Sequence, residues 1–188
     1  VFKPTSIGRL EVFESASTDP TFTSPEFEAI KRRYMAIGQT AAALNQPIMI
    51  DAEESWMQTS ADALALDLMR EFNINNVLIY NTFQMYLSDR LQKLKDCVKR
   101  AEEEGFKLGA KLVRGAYIEK ERERARKLGY TSPICPTKED TDALFDQAVA
   151  FVFENTEYAA VFVGTHNEQS TLKAANLALE KYTTLDHP

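Results

Sequence analysis

The sequence has little of what several large classes of protein require. It contains no run of about 18 uninterrupted apolar residues, which excludes a bundle of membrane-spanning helices. Its two cysteines are too few for a disulfide framework and form no CxxC motif, which indicates free thiols in a reducing compartment. Acidic residues outnumber basic ones by 28 to 22, which argues against a nucleic-acid partner. The phosphate-binding fingerprint GxGxxG, the P-loop motif and the GxSxG elbow are absent as well.

What the sequence does contain is an ordinary globular composition. Hydrophobic residues make up 44% of the 188 residues and aromatic residues 10%, which suffices for a core and excludes global disorder. No linker or shift of composition divides the chain, so we predict a single domain over residues 1–188. The first residues lie within an apolar run and the last form no closing element. We therefore expect the chain to be part of a longer protein.

Five short apolar runs alternate with helical patterns along the chain. The runs have the length of buried strands, whereas apolar residues in the helical patterns recur three and four positions apart. Because no Asn-Gly or Asp-Gly hairpin signal joins two runs, parallel strands covered by helices are the simplest arrangement. The predicted strands are 2–7, 47–50, 77–80, 109–113 and 159–163, and the predicted helices are 25–45, 60–72, 87–101, 119–127, 137–155 and 168–182.

Local signals mark several helix ends. Ser24 is predicted to cap its helix, Thr137 and Asp140 form a variant capping box, and Gly105 is predicted as a C-cap. The helix 119–127 is predicted to be solvated and supported by ion pairs three residues apart. The predicted pairs are Glu119/Arg122, Glu121/Arg124 and Glu123/Arg126.

Two α/β architectures fit five βα units. One is a doubly wound open sheet, which needs five or six strands. The other is a (βα)8 TIM-like barrel, of which this chain holds only about five units. The abrupt ends of the chain favour the partial barrel.

Polar residues collect where the predicted strands end. Since the carboxyl ends of parallel strands lie on the same side of an α/β fold, we predict a site for a polar ligand there. Lys111 lies within an apolar strand, and inside a barrel it needs an anionic partner because an unpaired buried charge is costly. The residues predicted to share this side are Lys3, Asp51, Glu53, Asn81, Gln84, Arg114, Tyr117, Thr165, His166 and Asn167.

The types of these residues narrow the chemistry. His166 and His187 are the only histidines and form no metal motif, and a Mg²⁺ site built from Asp51, Glu53 and Glu54 is a weak alternative. A ligand held by cations, amides and one acid fits better. An anionic flavin with a carboxylate substrate meets that description, so we predict no metal.

Four sequence runs carry a resemblance to a known family. They are IDAEE at 50–54, YNTFQ at 80–84, KLVRGAY at 111–117 and THNE at 165–168. In this order, at predicted strand ends, they closely resemble the FAD-dependent proline dehydrogenases (proline oxidases) across essentially the whole chain. The resemblance implies a distorted (βα)8 barrel that oxidises L-proline to 1-pyrroline-5-carboxylate by hydride transfer to FAD and passes the electrons to a quinone.

The resemblance also implies roles for individual residues. Lys3 is expected to hold the proline carboxylate, Asp51 to anchor an ion-pair network, and Tyr117 to pack against proline. Lys111 stands near the flavin N5 edge, where many family members have Arg. The other implied FAD contacts are Gln84 at the isoalloxazine ring, Arg114, Gly115 and Ala116 along the cofactor, and Thr165, His166 and Asn167 at the pyrophosphate and adenosine end.

One departure from the family concerns the substrate carboxylate. The family carries paired arginines on its last helix, and this chain has no Arg-Arg near its end. We therefore expect a remaining segment to complete the barrel. The expected compartment is the bacterial cytoplasm with peripheral association to the membrane, and a mitochondrion is the alternative.

Two other functions stay open at this point. Lys111 at a strand end suits a Schiff-base lyase or aldolase, in which a lysine amine attacks a carbonyl substrate. A non-catalytic barrel fragment that serves only as an assembly partner is the third reading.

Overall fold

The structure is a computed structural model that describes residues 1–182. His187 and the rest of the segment 183–188 lie outside the described residues, so the single domain predicted over 1–188 stays a prediction. The helices are α1 (Leu10–Thr18), α2 (Pro25–Ala43), α3 (Ser55–Phe72), α4 (Arg90–Glu104), α5 (Ile118–Leu128), α6 (Lys138–Glu154) and α7 (Glu168–Lys181). The strands are β1 (Ile48–Ile50), β2 (Ile79–Gln84), β3 (Leu108–Val113) and β4 (Ala159–Gly164), and a 3₁₀ turn spans Pro4–Ser6.

The four strands form one parallel sheet in the order β1-β2-β3-β4. Each strand pairs with the next one along the chain, and one or two helices connect them. The predicted α/β class with parallel strands is confirmed. Within residues 1–182, no helix has the length and apolar character to span a membrane.

The first predicted strand, 2–7, is wrong. Phe2 alone pairs with Ile50 in an isolated parallel bridge, and the chain then enters the 3₁₀ turn. The physical reason is Pro4, which has no backbone N–H to donate to a β-ladder. The edge of the sheet beside β1 is therefore held by one bridge.

Three further elements differ from the prediction. The helix α1 was not predicted, because only Val12 and Phe13 become buried in it, and they do so against helices distant in sequence. The helix α3 begins at Ser55, five residues earlier than expected. The strand β2 continues to Gln84, because its second half pairs with β3. Asn81 therefore lies within a strand and not after one.

The predicted helix caps are confirmed. The Ser24 side chain accepts a hydrogen bond from the Phe27 N–H at 3.1 Å, and Thr137 and Asp140 form a reciprocal capping box. Gly105 ends α4 with a left-handed backbone, φ 76°. The prediction that α5 is solvated is only partly right, since Glu121 on this helix is fully buried.

The two faces of the sheet have different surroundings. On β2, the side chains of Ile79, Asn81 and Phe83 alternate with those of Tyr80, Thr82 and Gln84. The first set packs toward the helices and the main hydrophobic core. The second set faces the side on which Lys111 and Asp51 lie. This second face carries the candidate site.

Candidate functional site

A cavity of about 590 Å³ opens at the carboxyl ends of the four strands. Its volume falls within the range of small-molecule and cofactor sites, which is roughly 300–1,000 Å³. All the catalytic and cofactor residues predicted from sequence line it: Lys3, Asp51, Gln84, Lys111, Arg114, Gly115, Ala116, Tyr117, Thr165, His166 and Asn167. The remaining lining residues are Ala52, Thr82, Val113, Lys138 and Gly164.

Asp51 sits between two lysines. It follows β1 directly, and its Oδ1 accepts a hydrogen bond from Lys111 Nζ at 2.6 Å. The Lys3 Nζ lies 3.5 Å from Asp51 Oδ2 on the other side. The anionic partner that Lys111 was predicted to need is therefore Asp51. One carboxylate balances two ammonium groups, which leaves the cluster with a net positive charge.

Lys3 and Tyr117 face each other across this cluster. Burial works against the charged form of Lys3, but Tyr117, Asp51 and Glu53 outweigh it and raise the lysine pKa. The pKa of Tyr117 is also raised, first by burial and then by the charges of Glu53 and Glu54, against the opposing effect of Lys3. At neutral pH the cavity thus offers an ammonium and a protonated phenol.

Gln84 and Thr82 form the buried wall of the cavity on β2. The Thr82 hydroxyl donates to the Ile50 carbonyl at 2.7 Å, which ties β2 to the residue before Asp51. Gln84 is 2% exposed, and within residues 1–182 its Oε1 has no hydrogen-bond partner. A buried amide oxygen without a partner is costly in a finished protein interior. Gln84 therefore has unused hydrogen-bonding capacity at the cavity wall.

Arg114 is held from four directions. Its Nε donates to Asp142 at 2.5 Å, its Nη1 to the Thr165 hydroxyl at 2.7 Å and its Nη2 to the Ser170 hydroxyl at 3.0 Å. The guanidinium also lies over the Phe145 ring, 4.3 Å from the centroid. The arginine is fixed in orientation, and the positive charge it brings to the cavity is fixed with it.

The turn that follows Arg114 needs glycine. Gly115 has φ 129°, a conformation that L side chains rarely adopt. A Cβ built there would lie 2.1 Å from the ring of Tyr86, which is buried beneath the turn. The turn therefore rests directly on an aromatic ring, and this packing sets the start of α5 and the position of Tyr117.

The helix α7 points its N-terminus at the opposite side of the cavity. Asn167 caps it by accepting a hydrogen bond from the Ser170 N–H at 3.1 Å, and the Thr165 hydroxyl accepts from the Asn167 N–H at 3.0 Å. His166 lies between them and is exposed. The first turn of a helix favours an anionic group, which suits the predicted role of this segment.

Sequence reasoning missed five lining residues, of which Thr82 and Lys138 are polar, and it wrongly placed Asn81 and Glu53 on the cavity side. Thr82 lies beyond the predicted strand 77–80, and only the extension of β2 to Gln84 places the two residues on one face of the sheet. Lys138, which pairs with Asp142, follows a loop whose path the sequence did not reveal. Asn81 faces α3 and donates to Asp62 at 2.8 Å, away from the cavity.

The structure gives no support to the weak Mg²⁺ alternative. Glu53 accepts two hydrogen bonds from Thr5, and Glu54 pairs with Lys120 at 2.8 Å, so neither carboxylate is aimed at Asp51 as a shared ligand set. Among the described residues no group of three or more His, Cys, Asp or Glu side chains is placed to hold a metal ion.

The fold and the cavity together define a class of protein. It is an α/β protein that binds its ligand where parallel strands end, in a cavity with several cations, one central acid and a free amide. Comparison with known proteins gives the family. The family model for proline dehydrogenase matches residues 6–186, and the chain belongs to that family.

Individual relatives agree with this assignment. The chain is 38% identical to human mitochondrial proline dehydrogenase 1 over 142 residues, which is 74% of this chain and 24% of the relative. It is 34% identical to the carbapenem antibiotics biosynthesis protein CarD of Pectobacterium carotovorum over 173 residues, 90% of this chain and 45% of the relative. The chain spans about a quarter of the length of the mitochondrial relatives from human and Caenorhabditis elegans.

Solved structures show the same fold. Proline utilization A (PutA) from Bdellovibrio bacteriovorus, inactivated by N-propargylglycine, superimposes with a TM-score of 0.82 at 21% sequence identity. The match covers 96% of this chain and 18% of the PutA chain. PutA from Corynebacterium freiburgense gives a TM-score of 0.77 at 22% identity, with coverages of 96% and 19%.

Proposed function

We propose that this chain is part of an enzyme that oxidises L-proline to 1-pyrroline-5-carboxylate with FAD as its cofactor. The observation that carries the proposal is the cavity in which Asp51 lies between Lys3 and Lys111, beside the amide of Gln84, in a chain of the proline dehydrogenase family. Proline dehydrogenases are in general flavoenzymes.

The residues of the cavity fit a flavin. The Oε1 of Gln84 lacks a partner among the described residues, and the polar edge of an isoalloxazine ring supplies a donor for it. Val113 and Gly164 line the same cavity and give an apolar surface for a flat ring. When bound, FAD supplies the acceptor for a hydride. Lys111 would stand at the edge of the ring that gains negative charge, where a fixed cation is stabilising.

The other side of the cavity suits the diphosphate of the cofactor. Arg114 is held rigidly by Asp142, Thr165 and Ser170, so its position needs no rearrangement when an anion binds. The N-terminus of α7 and the side chains of His166 and Asn167 border the same space. We assign this region to the pyrophosphate and adenosine end.

Substrate binding falls to the opposite wall. The Lys3 ammonium is half exposed and would hold the proline carboxylate, while Tyr117 packs against the ring. The C–H bond next to the ring nitrogen breaks, its electron pair leaves with the hydrogen as hydride, and the nitrogen lone pair forms the C=N bond of a protonated imine. Loss of the N–H proton to solvent then gives 1-pyrroline-5-carboxylate. The amine must be neutral for the hydride transfer. The contribution of the chain is to position these groups.

The finer fold and the partners belong to the same proposal. The bridge at Phe2 and the four strands would form part of a distorted (βα)8 barrel that further βα units complete. Phe162 pairs with Lys111 in the sheet and is 44% exposed on the cavity face, a surface that further units would cover. A quinone is the proposed electron acceptor. Peripheral association with the bacterial membrane, or a mitochondrial location, stays a prediction.

The Schiff-base alternative is less well supported. A nucleophilic lysine needs an apolar pocket or a neighbouring cation without a bound acid. Lys111 instead donates to Asp51 at 2.6 Å. Trapping with borohydride and a carbonyl substrate tests this alternative, and a covalent adduct at Lys111 would support it.

The proposed function is tested by visible absorbance. The protein that contains these 188 residues is purified, incubated with FAD and titrated with L-proline without oxygen. We expect flavin bands that bleach with proline and stay unchanged with D-proline or cyclopentanecarboxylate. Protein that takes up no flavin, or a bound flavin that proline leaves oxidised, contradicts the proposal and favours the non-catalytic reading.

A further inference from the structure

Lys3 lies in a segment that is attached to the sheet by only one β-bridge. The Phe2 N–H donates to the Met49 carbonyl at 3.1 Å, and the Asp51 N–H donates to the Phe2 carbonyl at 2.9 Å. Pro4 follows, and it has no N–H to continue the ladder. Backbone pairing therefore fixes the chain before Lys3 and does not extend past it.

A buried carboxylate takes over at the next position. Glu53 Oε2 accepts a hydrogen bond from the Thr5 N–H at 2.9 Å, and Glu53 Oε1 accepts from the Thr5 hydroxyl at 2.8 Å. Glu53 is 4% exposed, and its own N–H donates to the Gln58 side chain at 3.0 Å. Both carboxylate oxygens of the buried Glu53 thus accept charge-assisted hydrogen bonds from one residue, Thr5, of the neighbouring segment.

The two segments run side by side through these contacts. Phe2 pairs with Ile50 through the backbone, and Lys3 pairs with Asp51 through their side chains. Thr5 donates its backbone N–H and its hydroxyl to the Glu53 carboxylate. Lys3 therefore sits between two fixed points. The Lys3 side chain is 50% exposed, and the Lys3 carbonyl accepts from the Ser6 N–H at 3.0 Å and the Ser6 hydroxyl at 2.6 Å within the turn that Thr5 holds to Glu53.

We propose that Glu53 is a positioning residue that acts through Thr5 to hold the Lys3 ammonium in place for the carboxylate of the substrate. This inference rests on the proposed function, in which Lys3 binds the proline carboxylate. Glu53 itself does not line the cavity. Burial lowers the pKa of Lys3, and the charge of Glu53 contributes to the net raised pKa after Tyr117 and Asp51. The same residue thus favours the charged form of the lysine.

The chain offers a matched control for Glu53. Glu121 on α5 is fully buried, and its carboxylate accepts hydrogen bonds from the Ser55 N–H at 2.6 Å and the Ser55 hydroxyl at 2.7 Å. The bonding pattern is the same, but the partner is the first residue of α3. Glu121→Gln therefore measures what the loss of such a buried acceptor does to stability, without releasing the segment of Lys3.

The experiment compares Glu53→Gln with Glu121→Gln in the flavin-loaded protein. For Glu53→Gln we expect KM for L-proline to rise about tenfold with kcat changed by less than about threefold, because a uniform binding contact is lost. Turnover of pyrrolidine, which lacks the carboxylate, should change equally little in both variants. Amide exchange in segment 1–9 should accelerate in Glu53→Gln and not in Glu121→Gln.

Substitutions of Thr5 provide a second route to the same result. Thr5→Ser keeps both hydrogen bonds to Glu53 and should retain the KM of the parent protein. Thr5→Val loses the hydroxyl bond and should give an intermediate KM. Neither variant alters the buried carboxylate, so both separate the loss of the contact from a general loss of folding.

Two results would overturn the inference. One is an equal rise of KM in Glu53→Gln and Glu121→Gln. The other is a lower Tm in Glu53→Gln with KM unchanged, which leaves Glu53 a purely structural acceptor. Failure of the proposed function looks different, since the parent protein itself would then show no reduction of flavin by proline. In that case the proposal that Lys3 binds the substrate carboxylate is also contradicted.

Discussion

Each face of the sheet carries a carboxylate paired with basic side chains, and the two faces use it differently. On the cavity face, Asp51 lies between Lys111 and the half-exposed Lys3. On the helix face, Asp62 Oδ2 lies 3.2 Å from Nη1 of Arg90, whose side chain is 3% exposed. The cavity-face cluster is open to a ligand through the half-exposed Lys3, whereas the basic partner in the helix-face cluster, Arg90, is buried between α3, β2 and α4.

The difference between the two faces arises because successive side chains of a strand point to opposite sides of the sheet. Asn81 and Thr82 are neighbours in β2, yet Asn81 bonds Asp62 behind the sheet and Thr82 lines the cavity in front of it. Gln58 completes the rear cluster by donating to Asp62 at 2.7 Å. Residue types that look equally functional in the sequence thus divide into a ligand site and a buried structural network.

The largest effect should come from breaking the rear cluster. Asp62→Leu leaves the buried Arg90 with only the more distant Asp89, 3.7 Å from its Nε, and leaves Asn81 without its acceptor. We expect a loss of about 3–5 kcal/mol of unfolding free energy and a fall in Tm on the order of 10 °C. Thermal unfolding followed by circular dichroism measures this. The double variant Asp62→Leu/Arg90→Met should recover part of the loss, and a double variant no more stable than the single one would contradict this account.

The cluster of Asp51, Lys3 and Lys111 on the cavity face should show the opposite response, with activity affected more than stability. Asp51→Asn removes the charge between Lys3 and Lys111 while keeping the shape of the side chain. We expect kcat/KM for L-proline to fall by about 100-fold, because the two lysines lose their common anchor, while Tm changes by less than about 3 °C. Steady-state kinetics and thermal unfolding of the same samples check both halves. A large fall in Tm would remove the contrast between the faces.

The smallest effect concerns an acid at the rim of the cavity. Hydrogen bonds from Lys138 first, and then from Arg114, hold the pKa of Asp142 below its usual range. Folding therefore favours the ionised form, and its contribution is present above the pKa of the unfolded chain and is lost as pH falls below about 4. Asp142→Asn should lower Tm slightly at pH 7 and not at strongly acidic pH. Unfolding curves across this range compare the two proteins.

Much of the fold could be predicted from local pattern. The order of strands and helices after residue 24, the cap at Ser24 and the capping box at Thr137 depend on residues close together in the chain, which is why they were confirmed. The collection of site residues at one end was also predictable, because parallel strands must share an end. Every residue predicted to be catalytic or to bind the cofactor lines the cavity, although Glu53 and Asn81, predicted on the same side, do not. The roles given to these residues stay predictions.

What failed depends on contacts between distant segments. Glu121 looked like a member of an ion pair with Arg124 on an exposed helix, yet it binds Ser55, 66 residues away, and Arg124 pairs with Glu14. Glu53 looked like a metal ligand or a strand-end acid, yet it binds Thr5, 48 residues away. Neither sequence periodicity nor propensity contains this information.

By itself the sequence determined a parallel α/β protein, its family and the residues that collect where the strands end. Apolar periodicity and helix capping depend on residues close together in the chain, and parallel strands must share a direction. All three features can therefore be predicted from the sequence. Only the tertiary structure decided which acids face the cavity, which lie behind the sheet and which hold its loops. A buried carboxylate takes its role from the donors that surround it, and folding brings those donors from remote parts of the chain.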